Sequence, residues 1–305
     1  MLVKEALALA VLELQEFSAK QLESRILLSH ILNLSQESLL LSYNEPISDN
    51  VSYRFFELIE RRKNFEPIAY IIGRKEFYGL EFLVTSDVLI PRNDTELLVE
   101  TVVKEISSQV YEHNQNSENI KILELGTGSG AISVSLAKNI SNSSIVATDV
   151  SDKALKIATD NAKLNDVLDK ISFIKSDWYE QLEVFGDSID KIVKVTDNQD
   201  SDKLFDFIVS NPPYINVKDK AYMSKETLLY EPAIALFADD MGIECYWQII
   251  SGAHQFLKKS GKIVLELGFN QAEVVTGVLK SHNFINIRTF QDLQAIDRVV
   301  IACKS

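Results

Sequence analysis

The sequence of 305 residues lacks long apolar runs and any obvious targeting segment. No stretch approaches the roughly 18 consecutive apolar residues that a membrane-spanning helix needs. Residues 1–10 carry Glu5 beside a single Lys4 and no cleavage site, which argues against a secretory signal. These absences predict a cytoplasmic protein that does not engage a membrane.

Cysteine and basic charge are also scarce. The two cysteines, Cys245 and Cys303, stand far apart without metal-ligand spacing, so we expect neither a disulfide framework nor a metal site. Thirty-one Lys and Arg residues stand against 44 Asp and Glu residues, a formal net charge of -13. This balance disfavours a surface that tracks nucleic-acid phosphates and favours a protein or small-molecule substrate.

The length and the 46% hydrophobic content predict two domains with a large core. Apolar residues recur at helical spacing from Leu2 to about Phe65, with Pro46 and Pro67 as breaks, and predict a helical domain over residues 1–72. The segment 76–82, EFYGLEF, predicts two strands and a turn within a hairpin linker over residues 73–90.

Over residues 91–305, strand-like runs alternate with amphipathic segments, which is typical of a mostly parallel sheet covered by helices. The strand candidates are Ile120–Leu125, Ser144–Asp149, Ile171–Lys175, Phe205–Ser210, Lys262–Leu267, Ile285–Arg288 and Arg298–Cys303. No long helix separates the last two, which predicts a final antiparallel strand. The acid-rich stretch 181–203 has little periodicity and predicts a mobile surface loop.

A glycine-rich loop, Gly126-Thr127-Gly128-Ser129-Gly130, joins the first of these strands to a predicted helix. Glycines at such a turn let a ligand approach the backbone, so the loop predicts a cofactor site. Its spacing leaves NAD open as well as S-adenosylmethionine, because Ala131 also fits a dinucleotide fingerprint. A tight turn without a ligand is the simpler alternative.

Two side chains follow the next strands at the same sheet edge. Asp149 lies about 20 residues beyond the loop, where a carboxylate can accept hydrogen bonds from the ribose hydroxyls of either cofactor or can cap a helix. Trp178 follows the third strand, where an indole can stack on adenine or pack into the core. Both are candidate cofactor-binding residues.

The tetrapeptide Asn211-Pro212-Pro213-Tyr214 closes the fourth strand and indicates the chemistry. Prolines fix φ and lack N–H donors, which leaves rigid carbonyl oxygens to accept from a substrate amino group. We expect the Asn211 side-chain oxygen and the Pro212 carbonyl to hold the two N–H groups, and Tyr214 to stack on the flat face of the substrate. Since an amide or aromatic amine has a delocalised lone pair, aligning that nitrogen with the sulfonium methyl is the main catalytic task.

Further segments extend the pattern over nearly the whole chain: Glu66–Ile71, Glu76-Phe77, Ile90–Glu96, Ser176–Trp178, Glu231-Pro232 and Asp297-Arg298. Together with the glycine loop and the tetrapeptide, they resemble the protein-glutamine methyltransferases that modify peptide chain release factors, the PrmC or HemK family. The resemblance implies an α/β fold, the seven-strand class I methyltransferase with a Rossmann-like, mostly parallel sheet. It also implies a small N-terminal helical domain joined by a β-hairpin.

The resemblance further implies S-adenosyl-L-methionine as cofactor and the glutamine of the GGQ motif in class-I release factors as acceptor. The residues implied to contact the cofactor are Gly126, Thr127, Gly128, Ser129, Gly130, Asp149, Trp178 and Asn211. Those implied to hold the glutamine are Asn211, Pro212, Pro213 and Tyr214. Asn93 stands where the family usually has proline, and Ala295 replaces a common glycine.

Three other functions share part of this pattern. A glutamine methyltransferase of a ribosomal protein would use the same motifs. An adenine amino methyltransferase acting on DNA uses a similar turn, but it must flip its base and grip phosphates, and no basic recognition domain is evident. A non-catalytic protein that retains the fold would have no need of the glycines, Asp149 and the tetrapeptide together.

Overall fold

The computed structural model of the protein describes residues 1–113, 119–182 and 204–305. They form two compact units. The helical unit contains Met1–Arg74 and Met223–Glu231, and the sheet unit contains Lys75–Tyr222 and Pro232–Ser305. Part of the helical unit therefore lies, in sequence, inside the predicted domain 91–305. The predicted acidic loop lies outside the described residues from residue 183 onward.

The helices of the helical unit are α1 (Val3–Glu13), α2 (Lys20–Leu32), α3 (Gln36–Leu41), α4 (Asp49–Lys63), α5 (Ile68–Ile72) and, in chain order, α9 (Lys225–Tyr230). Three of these helices are capped at their N-terminus by a serine. The hydroxyls of Ser35, Ser48 and Ser224 each accept a hydrogen bond from the backbone N–H three residues later. Pro46 and Pro67 fall between helices, as expected of a residue without an N–H.

The predicted hairpin consists of β1 (Arg74–Phe77) and β2 (Leu80–Leu83). Its turn uses Gly79, whose N–H donates to Glu76 Oε1 over 2.7 Å. Phe77 and Phe82 point into the core of the sheet unit and are fully buried. The hairpin is therefore packed as part of that unit.

The centre of the sheet unit is a seven-stranded sheet. Its strands are β3 (Ile120–Leu125), β4 (Ser143–Asp149), β5 (Ile171–Lys175), β6 (Phe205–Ser210), β9 (Leu257–Glu266), β10 (Phe284–Gln291) and β11 (Asp297–Lys304). They are ordered β10-β11-β9-β6-β3-β4-β5, and β11 is antiparallel to both of its neighbours while the remaining pairs are parallel. The predicted fold class is confirmed, including the antiparallel strand tucked in near the end.

Helices cover both faces of this sheet: α6 (Glu96–His113), α7 (Ala131–Asn139), α8 (Asp152–Leu164), α10 (Glu244–Phe256) and α11 (Ala272–Ser281). Successive strand residues point to opposite faces, so Ile122 and Leu123 of β3 enter two different buried clusters. Burial on both faces explains why these strands read as continuous apolar runs. None of the described helices is long and apolar enough to cross a membrane.

Two connections within the sheet unit bear on the site. Asn161 of α8 accepts from the Leu83 N–H over 2.6 Å and donates to the Leu83 and Ser129 carbonyls, which ties the hairpin to the glycine loop. Directly after the tetrapeptide, β7 (Ile215–Asn216) pairs in parallel with β8 (Phe237–Ala238). The sequence patterns did not indicate this small sheet.

Candidate active site

The carboxyl ends of β3, β4, β5 and β6 border one cavity of about 300 Å³. This edge is where open α/β sheets bind their ligands. The residues that line the cavity are Leu89, Pro91, Arg92, Thr95, Gly126, Thr127, Gly128, Ser129, Ala131, Ile132, Asp149, Val150, Ser176, Asp177, Trp178, Asn211, Pro213, Ile234, Ala235, Phe237 and Cys245. The structure thus brings the predicted glycine loop, Asp149, Trp178 and Asn211 to one site.

The backbone of the glycine loop has positive φ at Gly126, Gly128 and Gly130, and the surroundings of the last two differ. Gly130 has φ of 80°, and a Cβ there would lie 3.1 Å from the Cβ of Ala158, so a side chain would push α8 away. Gly128 has φ of 56°, but a Cβ there would meet nothing within 4 Å. The space above Gly128 is open to a ligand.

Asp149 joins the glycine loop to the start of α8. Its Oδ2 accepts the Gly128 N–H over 2.8 Å and its Oδ1 accepts the Ser151 N–H over 2.9 Å. The cap of α8 is Ser151, not Asp149, because the Ser151 hydroxyl accepts the Ala154 N–H. Burial raises the pKa of Asp149. Each carboxylate oxygen keeps a further lone pair for a ligand at the cavity wall.

Trp178 stands beside the glycine loop. Its ring approaches Gly126, where a Cβ would lie 3.9 Å from the indole Cζ3. The backbone of Trp178 is left-handed, with φ of 45°, and its carbonyl accepts the Ser176 hydroxyl over 2.8 Å. Trp178 packs against the buried core and also borders the cavity.

In the tetrapeptide, Asn211 and Pro213 line the cavity, whereas Pro212 is buried. The Asn211 Nδ2 donates to the Thr95 hydroxyl over 3.0 Å. This bond uses the donor end of the amide and leaves its oxygen free to accept. Thr95, at the residue before α6, is itself only 4% exposed.

Tyr214 is held away from the cavity lining. Its hydroxyl donates to Glu266 Oε1 over 3.2 Å, and its carbonyl accepts the Gln271 side chain over 3.0 Å. Burial is the main cause that raises the pKa of Tyr214 far above its usual range. The predicted stacking of Tyr214 on the substrate stays a prediction, and the observed contacts anchor the turn.

Two buried carboxyls, Glu124 and Glu266, lie at or near the carboxyl ends of β3 and β9. Glu124, at the end of β3, accepts the Thr127 hydroxyl over 2.6 Å, and Glu266 ends β9. Burial is the main cause that raises the pKa of each to about 7. Elsewhere too, the described residues include no cluster of His, Cys, Asp and Glu arranged to hold a metal ion.

Two relatives that match over all or most of their length have the same name. A release factor glutamine methyltransferase from Buchnera aphidicola subsp. Baizongia pistaciae is 34% identical, with 100% of this chain and 100% of the relative covered. The chain belongs to the release factor glutamine methyltransferase family. A second member, from Neisseria gonorrhoeae, is 36% identical over 92% of this chain and 92% of its own length. The resemblance inferred from the sequence motifs is confirmed.

Other relatives of this family member are longer. A bifunctional methyltransferase from Rickettsia conorii is 41% identical over 93% of this chain but only 54% of its own length. The chain spans about half the length of such Rickettsia relatives.

Two family models and a solved structure complete the comparison. A model described as the PrmC N-terminal domain matches residues 5–73, and one described as lysine methyltransferase matches residues 93–208. The second match ends before Asn211, so it does not include the tetrapeptide. The crystal structure of the hMettl16 catalytic domain in complex with MAT2A 3'UTR hairpin 6 shares the fold, with 16% identity and a TM-score of 0.52 over 84% of this chain and 82% of that chain.

Sequence reasoning missed several residues of this family member's site. Thr95, Glu266 and Gln271 hold the tetrapeptide from distant parts of the chain. Thr95 stood within the quoted segment Ile90–Glu96, and Glu266 within the last parallel strand candidate. A polar residue at the end of an apolar strand was the available signal, but its partner is set by the fold.

Proposed function

We propose that this chain transfers a methyl group from S-adenosyl-L-methionine to the side-chain amide nitrogen of the GGQ glutamine in class-I peptide chain release factors. The observation that carries the proposal is the Asn211 amide, whose donor end is taken by Thr95 so that its oxygen can accept a substrate N–H. The names of the whole-length relatives support the acceptor. Because this substrate acts in translation, we propose the cytoplasm as the compartment.

The cavity fits S-adenosylmethionine by the chemistry of its walls. The open space over Gly128 allows a ligand to approach the loop backbone. Asp149 has acceptor capacity for ribose hydroxyls, and the indole of Trp178 offers an apolar face for adenine. We assign Gly126–Gly130, Asp149, Trp178 and Asn211 to cofactor binding.

The tetrapeptide would hold the acceptor nitrogen. The Asn211 side-chain oxygen and the Pro212 carbonyl each accept one N–H of the glutamine amide, which orients its lone pair. When bound, S-adenosylmethionine supplies an electrophilic methyl group on sulfur. A carbon–nitrogen bond forms, the carbon–sulfur bond breaks, and the nitrogen afterwards loses one proton to water. Because the proton leaves after transfer, the clamp needs acceptors and no strong base.

The charge of the chain supports a protein acceptor over DNA. At a net charge of -13 the chain repels a polyanion, and phosphate contacts need clustered basic residues. Several described lysines and arginines are already paired with carboxylates, such as Lys258 with Asp206 and Arg288 with Glu105.

The proposal is tested by transfer of labelled methyl from S-adenosylmethionine to four acceptors side by side. These are a class-I release factor, its GGQ Gln→Ala variant and adenine-containing duplex DNA, with a ribosomal protein as a fourth arm. We expect label in the unmodified release factor alone. Equal label in the Gln→Ala variant, or label in DNA, would overturn the assignment.

A further inference from the structure

The two ends of the Asn211 amide are not equivalent for the proposed reaction. The amide oxygen accepts hydrogen bonds, whereas the amide nitrogen donates them. A substrate NH₂ group also donates, so a flipped Asn211 would oppose donor to donor at the acceptor nitrogen. The proposed reaction therefore requires neighbouring groups that hold the Asn211 amide in one of its two orientations.

The hydroxyl of Thr95 cannot select it alone, because a hydroxyl both donates and accepts. Thr95 is one of the side chains that act on the buried carboxyl of Glu266, at the end of β9. An ionised carboxylate only accepts hydrogen bonds, so the Thr95 O–H would donate to Glu266 and leave a hydroxyl lone pair for the Asn211 Nδ2, which lies 3.0 Å away. Because Glu266 can only accept, the Thr95 hydroxyl is left as an acceptor for the Asn211 Nδ2.

We propose that Thr95 and Glu266 are positioning residues that fix the Asn211 amide with its oxygen toward the acceptor nitrogen. The inference rests on the proposed function, since it requires a substrate that donates an N–H. Neither residue touches the substrate in this scheme. Both act through Asn211.

The surroundings of Glu266 fit this role. The side chain is 1% exposed, and its Oε2 has no hydrogen-bond partner among the described residues, so the carboxylate has an acceptor available for the Thr95 O–H. The Tyr214 hydroxyl donates to Oε1. A buried carboxylate with a spare acceptor is costly to keep, and such groups concentrate at functional sites.

The first test replaces the hydroxyl of Thr95 and keeps its shape. We expect Thr95→Val to lower kcat by roughly 10- to 100-fold at saturating substrates, with the KM for the release factor unchanged. Thr95→Ser restores the hydroxyl and should recover most of kcat. Thr101→Val is the matched control, because Thr101 is as buried as Thr95 but its hydroxyl donates to the Leu97 carbonyl within α6, over 2.7 Å.

The outcomes separate this inference from the proposed function. Wild-type chain that fails to methylate the release factor counts against the proposed function, whereas wild-type activity with an unimpaired Thr95→Val variant overturns the positioning role. Equal losses in Thr95→Val and Thr95→Ser, or a change in KM alone, also overturn it. Calorimetric binding of S-adenosylmethionine shows whether each variant retains its folded site.

A second measurement follows if Thr95→Val does not fold. Five groups act on the Glu266 carboxyl: the Thr95, Tyr214 and Tyr246 hydroxyls, Asp94 and Arg298. With a pKa of about 7, Glu266 becomes an obligate acceptor only as pH rises through neutrality. We expect wild-type kcat to rise across this range and Glu266→Gln to remove the rise. A Glu266→Gln profile identical to the wild-type profile would contradict the inference.

Discussion

At the scale of single residues, Asp149 combines two tasks in one carboxylate. It holds Gly128 and Ser151 through their N–H groups, which fixes the loop backbone beside the cavity. The same oxygens are the acceptors proposed for the ribose of the cofactor. We therefore expect a change at Asp149 to act on cofactor affinity both directly and through the loop.

We expect Asp149→Ala to weaken S-adenosylmethionine binding by about 1.5 to 3 kcal/mol, because hydrogen bonds to a charged group are lost. Asp152→Ala is the control, since Asp152 lies nearby on the surface and pairs with Lys175. Calorimetric titration of the three proteins measures the effect. An Asp149→Ala variant with wild-type affinity would remove Asp149 from the cofactor site.

The buried carboxyls make stability depend on pH. Glu124 has a pKa of about 7 in the folded chain against 4.5 ordinarily, so between these values the unfolded chain binds fewer protons. The contribution of Glu124 to the free energy of unfolding is therefore fully present below pH 4.5, and it is lost as the pH rises through 7. We expect Glu124→Gln to flatten the slope and to raise stability at pH 8, on the order of 2 kcal/mol.

Urea denaturation at a series of pH values measures this slope. Glu273→Gln, a change at an exposed position of α11, serves as the control and should leave the slope unchanged. A Glu124→Gln variant with the wild-type slope would show that Glu124 does not titrate in this range.

Ala295 is held in a conformation that suits glycine. Its φ is 60°, in a turn where its N–H donates to the Asp292 carbonyl and the Asp292 carboxylate accepts two further N–H groups. We expect Ala295→Gly to raise the free energy of unfolding by about 0.5 to 1 kcal/mol, because the left-handed strain exceeds the added chain entropy. Urea midpoints test this, and a lower midpoint would contradict it.

At the scale of elements, the strands were predictable and the small connections were not. The predicted Ile120–Leu125, Ile171–Lys175 and Phe205–Ser210 match strands β3, β5 and β6 to the residue. A strand buried on both faces leaves an apolar run bounded by turn residues, and this signal is local. The start of strand β9 was predicted at Lys262 but lies at Leu257, because Leu257–Lys259 do not form an apolar run.

What the sequence did not predict depends on distant partners. The small sheet of β7 and β8 contains two residues in each strand, too few for a periodic pattern. The bond between Asn211 and Thr95 spans 116 positions, and the bond between Tyr214 and Glu266 spans 52. The glycine loop and the tetrapeptide were identifiable because each lies on consecutive residues.

The buried Arg62 connects α9, the last helix of the helical unit, to the other helices of that unit. The Arg62 side chain is 3% exposed; it pairs with Glu23 at 2.9 Å and with Glu226 of α9 at 2.6 Å. Its guanidinium also lies 3.9 Å above the ring of Phe17. The pair of Arg62 with Glu226, together with the Tyr230 hydroxyl bond to the Asn64 carbonyl and Lys225 over the Phe65 ring, places Met223–Glu231 in the helical unit.

We expect Arg62→Met to lower the free energy of unfolding by about 3 kcal/mol, because two carboxylates lose the cation between them. Arg61→Met removes a neighbouring pair with Glu66 in which the arginine is 43% exposed, so a loss below about 1 kcal/mol is expected. Calorimetric unfolding of the full chain compares the two. Equal effects would show that burial of Arg62 adds nothing.

At the scale of the whole molecule, an acidic chain joins a methyltransferase fold to a helical unit that matches the PrmC N-terminal domain. Family membership is shown by relatives that align over 92 to 100% of their length. The acceptor is the central proposal, since the tetrapeptide alone suits any planar nitrogen with N–H groups.

The most direct test is to locate the methyl group. A class-I release factor is incubated with the chain and S-adenosylmethionine, digested, and sequenced by tandem mass spectrometry. The account predicts the added mass of one methylene unit on the GGQ glutamine and nowhere else, and its loss with Asn211→Ala. A methyl group on another residue, or an unmodified glutamine after prolonged incubation with active chain, would contradict it.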